Sequence, residues 1–262
     1  MAKKKGKTQT REAGTLQKGL RLLTVLGTYP EGARFTDLAK DTGYPVSTTH
    51  RVLATLKKNG FVEYNQERRL YTLGLRIFQL SHRVAIVASL SRTAGPIMQL
   101  LAEKAGCVVL LNALDGAHTL VLDRAEPRQS VQVHTRIGSR LPLHSTASGK
   151  AILAGLSLEQ RNEILDGATL ERVTSKTVTN RINLEKQLRT SLRRGFGTSN
   201  EENEDGIRAI AVQIPTATTT TRKLALSLAA PAAIVSAKKL ASKIGLLQEA
   251  AADIGDRLIA YR

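Results

Sequence analysis

The side chains best placed for chemistry cluster at His144-Ser145-Thr146-Ala147-Ser148-Gly149-Lys150. A Gly-Lys pair suggests a phosphate loop. That loop needs Gly five residues before the pair and Ser or Thr directly after it. His144 and Ala151 hold those positions. Ser148 lies in no G-x-S-x-G elbow, and neither Ser145 nor Ser148 has the Lys three residues on that an S-x-x-K dyad requires. The histidines, His50, His82, His118, His134 and His144, form no H-x-x-x-H or H-E-x-x-H metal pair. His144 reads as a structural residue that bonds backbone. Cys107, the one cysteine, stands among Val108, Val109, Leu110 and Leu111 and reads as packed rather than redox-active. A single cysteine excludes a disulfide framework and a Cys-based zinc site. We therefore expect no catalytic residues, no metal and no cofactor.

A second set of polar groups suits binding. Residues 46–58 have helical spacing. On a helical wheel Thr49, Val52, Leu53 and Leu56 share one face, while Ser47, His50, Arg51, Ala54 and Lys58 lie opposite, flanked by Thr48 and Thr55. The first face is the expected core. The second fits a DNA major groove, with Arg51 able to bond guanine O6 and N7 in bidentate fashion and Ser47, Thr48 and His50 able to bond bases or phosphates. Arg68 and Arg69, at the tip of an expected hairpin, suit phosphates or a minor groove. A polar helix face is by itself no more than a solvated surface. The surrounding elements and the charge turn it into a reader.

Those elements are three helices and a hairpin. Leu16, Leu20, Leu23 and Leu26 mark the first helix, stopped by Tyr29-Pro30-Glu31-Gly32. Thr36 can cap a short second helix over Asp37–Asp41, with Gly43 at its C′ position. Pro45 precedes the third helix, which ends at Asn59-Gly60. Phe61–Tyr64 and Arg69–Leu73 read as strands joined at Asn65–Arg68. This is the order of a winged helix-turn-helix. A helix over about Leu75–Leu90 follows, with Ile77, Leu80, Val84 and Val87 in one stripe. Gly95-Pro96 marks the next boundary. Beyond it, expected strands (Cys107–Ala113, Thr119–Asp123, Val131–His134, Ile207–Ile214, Lys223–Ala229) alternate with helices (Ser148–Ala154, Leu158–Asp166, Leu184–Arg194, Ala237–Ala260). A Thr-rich turn falls at Thr216–Thr221. The whole reads as α+β, an antiparallel sheet with helices on its faces. The expected organisation is a flexible basic arm over 1–14, a winged helix-turn-helix over 15–74, a linker helix over 75–94 and a ligand-sensing domain over 95–262.

These residues resemble the IclR-type transcription regulators. Gly43-Tyr44-Pro45-Val46-Ser47-Thr48-Thr49-His50-Arg51-Val52-Leu53-Ala54-Thr55-Leu56 is similar to that family's recognition helix, and brings Tyr44 into the DNA-contact set. Ile137–Ala151, with Pro142-Leu143-His144 and Gly149-Lys150, is similar to its G-x-x-x-P-L-H-x-T-A-x-G-K-A signature. Arg194-Gly195-Phe196-Gly197, Glu201-Glu202 and Gly206–Ala211 resemble its C-terminal signature. The resemblance implies a DNA-binding winged helix, a GAF-like C-terminal domain that senses a small organic or aromatic acid, and a homodimer or homotetramer on double-stranded DNA. It implies effector contacts at Ala147 and Ser148, at a helix start whose N–H groups can hold a carboxylate, and at Ser199, Ala209, Ser227 and Ala229. Ser130 and Val133 should line the same pocket. Ala209 stands where many members have cysteine, and Ala229 where the strand motif has serine. Both departures make the expected pocket less polar and favour a larger or aromatic acid over one such as glyoxylate.

Composition agrees. Of the 262 residues, 39 are Lys or Arg and 22 Asp or Glu, a net charge of +17. Residues 1–90 hold 16 basic and 6 acidic residues, against 23 and 16 in the rest. The first third is thus the more positive per residue, which points to a phosphate backbone as partner. No apolar run approaches the roughly 20 residues of a membrane span, and no apolar segment follows Met1-Ala2-Lys3-Lys4-Lys5, so a cytoplasmic setting is expected. With four Phe, five Tyr and no Trp, an RNA or nucleoid binder relying on stacking aromatics is poorly supported. The alternative is a small-molecule-binding protein or enzyme with a basic helical appendage.

Overall fold

The structure is a computed structural model and describes residues 9–82, 85–128, 133–215 and 223–260. The chain divides into two compact units, Met1–Ala85 and Ile86–Arg262.

The first unit is α1 (Gln9–Leu26), α2 (Phe35–Thr42), α3 (Val46–Lys58), β1 (Val62–Asn65), β2 (Leu70–Leu73) and α4 (Leu75–His82). Leu22, Leu26, Ala33, Leu38, Val52, Leu53 and Val62 bury one another in a single core. Helix α2 is entered at Arg34, not Thr36: the Asp37 carboxylate accepts from the Arg34 N–H at 3.3 Å. Gly43 closes it with φ 69°, the left-handed position that glycine adopts without strain. Strands β1 and β2 pair antiparallel, Asn65 opposite Leu70, and Ala33 bridges to Tyr71. This is the winged helix-turn-helix order read from the sequence.

Two expectations for the N-terminal region change. Residues 1–8 lie outside the described residues, but the chain is helical from Gln9 rather than from Thr15. Gln9, Arg11, Glu12 and Ala13 are good helix formers that extend a nucleated helix at little cost. The Leu16-Leu20-Leu23-Leu26 stripe is not the buried one. Leu22 and Leu26 are buried, whereas Leu16 is 68% and Leu20 56% exposed. Residues 22 and 26 lie one turn apart on the core face, and residues 16 and 20 have rotated off it.

The second unit contains α5 (Ala85–Ala105), β3 (Val108–Asp115), β4 (His118–Ala125), β5 (Arg140–Pro142), α6 (Ala147–Ala154), α7 (Leu158–Asp166), α8 (Arg181–Arg194), β6 (Gly197–Asn200), β7 (Ile207–Gln213), β8 (Leu224–Pro231), α9 (Ala237–Ala241) and α10 (Ile244–Ala260). Its antiparallel sheet has the order β5-β4-β3-β8-β7-β6. Because side chains alternate along a strand, one face presents Val109, Leu111, Leu226, Leu228, Ile210 and Val212 to α5 and α10. The other presents Leu110, Asn112, Ser227, Ala229 and Ala209, and α6 packs on that side.

Helix α5 runs through Gly95-Pro96, where a boundary was expected. An interior Pro costs about 3 kcal/mol, but Ala94, Met98, Leu101, Ala102 and Ala105 are all buried in the core on this helix and their burial outweighs it. Strands β5 and β6 escaped the sequence reading because they are short sheet-edge strands holding Pro142 and Gly197. The expected single C-terminal helix is two, parted at Ser242-Lys243, where Ser242 caps α9. Ser130, Val131, Gln132, Val84 and the Thr216–Thr221 turn lie outside the described residues, as does the side chain of Val87; Val133 and His134 are irregular rather than strand. No described helix is long and apolar enough to cross a membrane.

Candidate effector pocket and nucleic-acid interface

Seven of the eight predicted effector residues converge. Val133, Ala147, Ser148, Ser199, Ala209, Ser227 and Ala229 line one cavity of about 40 Å³; Ser130 lies outside the described residues. The segments come from α6, β6, β7, β8 and the stretch before β5. Arg124 on β4 donates to the Thr135 carbonyl and so holds that stretch, with Val133 and Thr135, against the sheet.

Helix α6 forms the floor. Thr146 caps it, its hydroxyl accepting from the Gly149 N–H at 3.1 Å and donating to the Pro142 carbonyl at 3.0 Å. The Lys150 N–H reaches the Thr146 carbonyl. The Ala147 and Ser148 N–H groups have no upstream helical carbonyl and no partner among the described residues. They border the cavity and carry the positive end of the helix dipole. The helix can sit there because two signature glycines lack a Cβ. A Cβ on Gly149 would lie 2.2 Å from the Leu143 carbonyl oxygen, and one on Gly197 would lie 2.3 Å from the Ala147 carbonyl oxygen.

Lys150 lies behind this floor, not in it. Its side chain is 1% exposed, and Nζ meets the Glu202 carboxylate at 2.6 Å and the Thr198 carbonyl at 3.1 Å. Burial pushes the Lys150 ammonium below its ordinary pKa, and the Glu202 charge draws it part of the way back. This pair ties α6 to the loop after β6. Ser199 donates to the Ser145 carbonyl at 2.8 Å, and Ser145 to Asn203 at 3.0 Å. His144 is buried, and its Nε2–H donates to the Glu171 carbonyl at 2.9 Å. Burial holds its pKa below the ordinary histidine value. Cys107 is buried, and burial raises its thiol pKa.

The sequence reading missed Leu110, Asn112, Thr135, Leu141, Thr146, Asn203, Glu204 and Ile207 on the same wall. Asn203 and Glu204 directly follow the Glu201-Glu202 signature, a signal that was available. Asn112 carried none: it is a polar residue inside an apolar strand and comes into view only once β3 pairs with β8. The wall is thus more polar than the departures at Ala209 and Ala229 suggested.

In the first unit, Ser47, His50, Arg51, Ala54, Thr55 and Lys58 are exposed on α3, while Thr49, Val52 and Leu53 are buried. Thr48 and Tyr44 are half-buried. The Tyr44 ring lies 6.0 Å from the Lys18 ammonium and 5.9 Å from the Arg21 guanidinium, two cations the sequence reading did not enlist. Arg68 and Arg69 are exposed at the hairpin turn. The Arg68 N–H donates to the Asn65 side chain at 2.9 Å, and Arg69 takes φ 54°. Arg51 also borders an apolar groove between α1 and α3, lined by Leu16, Leu20 and Phe61 among others, with a volume of about 580 Å³.

Comparison with known proteins identifies the two domains. Residues 82–256 match the family described as bacterial transcriptional regulator IclR C-terminal, and residues 15–66 match the IclR helix-turn-helix domain. The chain belongs to the IclR family. The transcriptional regulator XynR of Escherichia coli is 30% identical over 200 residues, 76% of this chain and 79% of that protein. The transcriptional repressor IclR of the same organism is 30% identical over 207 residues, 78% and 76% of the two chains. Among solved structures, an IclR homologue from Microbacterium hydrocarbonoxydans complexed with 4-hydroxybenzoate superposes with a TM-score of 0.78 at 27% identity, covering 94% of this chain and 99% of that one. This IclR-family chain is therefore a transcriptional regulator with a helix-turn-helix domain and an effector-binding domain.

Proposed function

We propose that this regulator holds a small organic acid at the α6 N-terminus and that the acid changes its hold on DNA. The observation that carries this reading is the convergence of seven predicted residues on one cavity beside two unpartnered helix N–H groups. Ala147 and Ser148 supply those N–H groups, Ser148 adds a hydroxyl, Ser199 and Ser227 donate to the Ser145 and Leu110 carbonyls and so present oxygens, and Val133, Ala209 and Ala229 form apolar wall. At roughly 10–15 Å³ per water-sized group, about 40 Å³ suits a compact acid. A ring such as that of 4-hydroxybenzoate, the ligand of the Microbacterium relative, requires the wall to yield.

The DNA interface in this reading is Tyr44, Ser47, Thr48, His50 and Arg51 toward the major groove, with Arg68 and Arg69 on phosphates or the minor groove. The protein acts in the cytoplasm as a homodimer or homotetramer and by binding, without catalysis. Residues 15–74 read DNA, residues 95–262 sense the acid, and residues 75–94 couple them. The acid acts only as far as it binds one arrangement better than the other.

Fluorescence anisotropy with DNA from upstream of the gene, against an unrelated duplex, at several salt concentrations and with a panel of carboxylic acids, tests this reading. The expected result is a preference for the upstream DNA that survives added salt and shifts with one acid. Ser148→Trp should block the shift and spare DNA binding. Equal, steeply salt-dependent binding to both duplexes would overturn the regulator reading.

A further inference from the structure

The effector pocket contains one buried acceptor with no donor. Asn112 is 1% exposed and sits on the cavity wall. Its Nδ2 donates to the Leu110 carbonyl at 3.2 Å and to Ser227 Oγ at 3.3 Å. Ser227 Oγ in turn donates to the Leu110 carbonyl at 3.4 Å. Asn112 Oδ1 has no partner among the described residues. Turning the amide over would let the Ser227 hydroxyl donate to Oδ1 but would set that oxygen 3.2 Å from the Leu110 carbonyl, acceptor against acceptor, and would strip the carbonyl of both side-chain donors. The carbonyl therefore fixes which end of the amide is left open. With the amide in this orientation Ser227 Oγ lies against Nδ2 and accepts from it, so it does not serve Oδ1.

A buried acceptor without a donor is costly, and each one calls for an explanation. A carboxylate cannot relieve this one, since it too only accepts. The wall's other amide, Asn203, is already served, its Oδ1 accepting from Ser145 at 3.0 Å. The pocket thus combines donors at the α6 N-terminus with an open acceptor at Asn112. We propose that Asn112 is its specificity-determining residue, accepting a hydrogen bond from a hydroxyl on the ligand, so that the effector is a hydroxylated carboxylic acid. This rests on the reading of the cavity as the effector site. No sequence motif marks this position, and the strand register alone brings Asn112 beside Ser227, 115 residues away.

The test is calorimetric titration of the full-length protein with matched acids that differ by one hydroxyl: lactate and propionate, 3-hydroxybutyrate and butyrate, 4-hydroxybenzoate and benzoate. In the wild type, the hydroxylated member of the pair that fits should bind about tenfold or more tightly. In Asn112→Leu that ratio should fall to about one or invert, because the leucine has no acceptor to leave unpaired. A purely structural role for Asn112 would weaken both acids alike and leave the ratio unchanged. The wild-type ratio stands even if Asn112→Leu does not fold, and Asn112→Ser is the second variant. Equal wild-type affinities within every pair would overturn the proposal, with a buried water then serving Oδ1; if Ser148→Trp still abolished that binding, the pocket reading would survive. Undiminished binding to Ser148→Trp, or no binding of any pair, would remove both.

Discussion

The two binding regions are built in opposite ways. The set proposed to face DNA, from Tyr44 to Arg51, spans eight consecutive positions, with Ser47, His50 and Arg51 exposed on one helix that a separate core supports from behind. The pocket draws on segments from Leu110 to Ala229, and its walls are held by buried pairs, Ser199 with Ser145 on the wall and Lys150 with Glu202 behind the floor. An exposed reader can change side chains without disturbing what supports it. A pocket assembled from many distant segments cannot, because the groups that shape it are also core.

The largest effect should come from the deepest of those groups. Lys150→Met leaves the Glu202 carboxylate buried and unpaired, and should cost the second unit about 3–5 kcal/mol, read as a lowered denaturation midpoint by circular dichroism. The double variant Lys150→Met/Glu202→Leu should recover most of the loss. If the single variant were as stable as the wild type, the contrast between the two regions would break. On the exposed side, Arg51→Ala should keep the wild-type thermal midpoint and lose about 1–3 kcal/mol of discrimination at one base pair, measured by anisotropy on single-base operator variants. Unchanged selectivity would take Arg51 off the list of base readers. Thr146→Ala removes the cap of α6 and should cost about 1 kcal/mol, with a matching loss in acid affinity by calorimetry.

The smallest effect is a pH dependence. Burial holds His144 below the ordinary histidine value of 6.5 in the folded protein. Below that value the unfolded chain binds the proton more readily, so stability rises with pH there. The contribution is intact above 6.5 and is lost as the pH falls beneath it. Denaturation midpoints between roughly pH 5 and 7 should show this slope, and His144→Gln should flatten it.

The reader was legible because its information is local: a 3.6-residue period separates Thr49, Val52 and Leu53 from Ser47, His50 and Arg51 with no knowledge of any other segment. Most of the pocket was legible through the signature residues, such as Ala147 and Ser148. Gly149 and Gly197 were visible as motif letters, though not as the points where α6 touches Leu143 and β6. The α1 stripe misled because four leucines satisfied a helical period while the true seam ran through Leu22 and Leu26. The edge strands β5 and β6 were too short, with Pro142 and Gly197 in them, to signal as strands.

Sequence alone was enough for the element order of the first unit, the basic first third, the absence of recognisable catalytic or metal spacing, and a third helix with an apolar and a polar face. Each follows from periodicity, charge or motif spacing along the chain. Tertiary structure alone decided that Lys150 pairs with Glu202 rather than with a ligand, that α5 continues through Pro96, and that Asn112 faces the cavity with an open acceptor. The reason is the same in each case. Whether a polar group is satisfied, or a helix breaker tolerated, depends on what distant segments bring to it, and local sequence does not encode that distance.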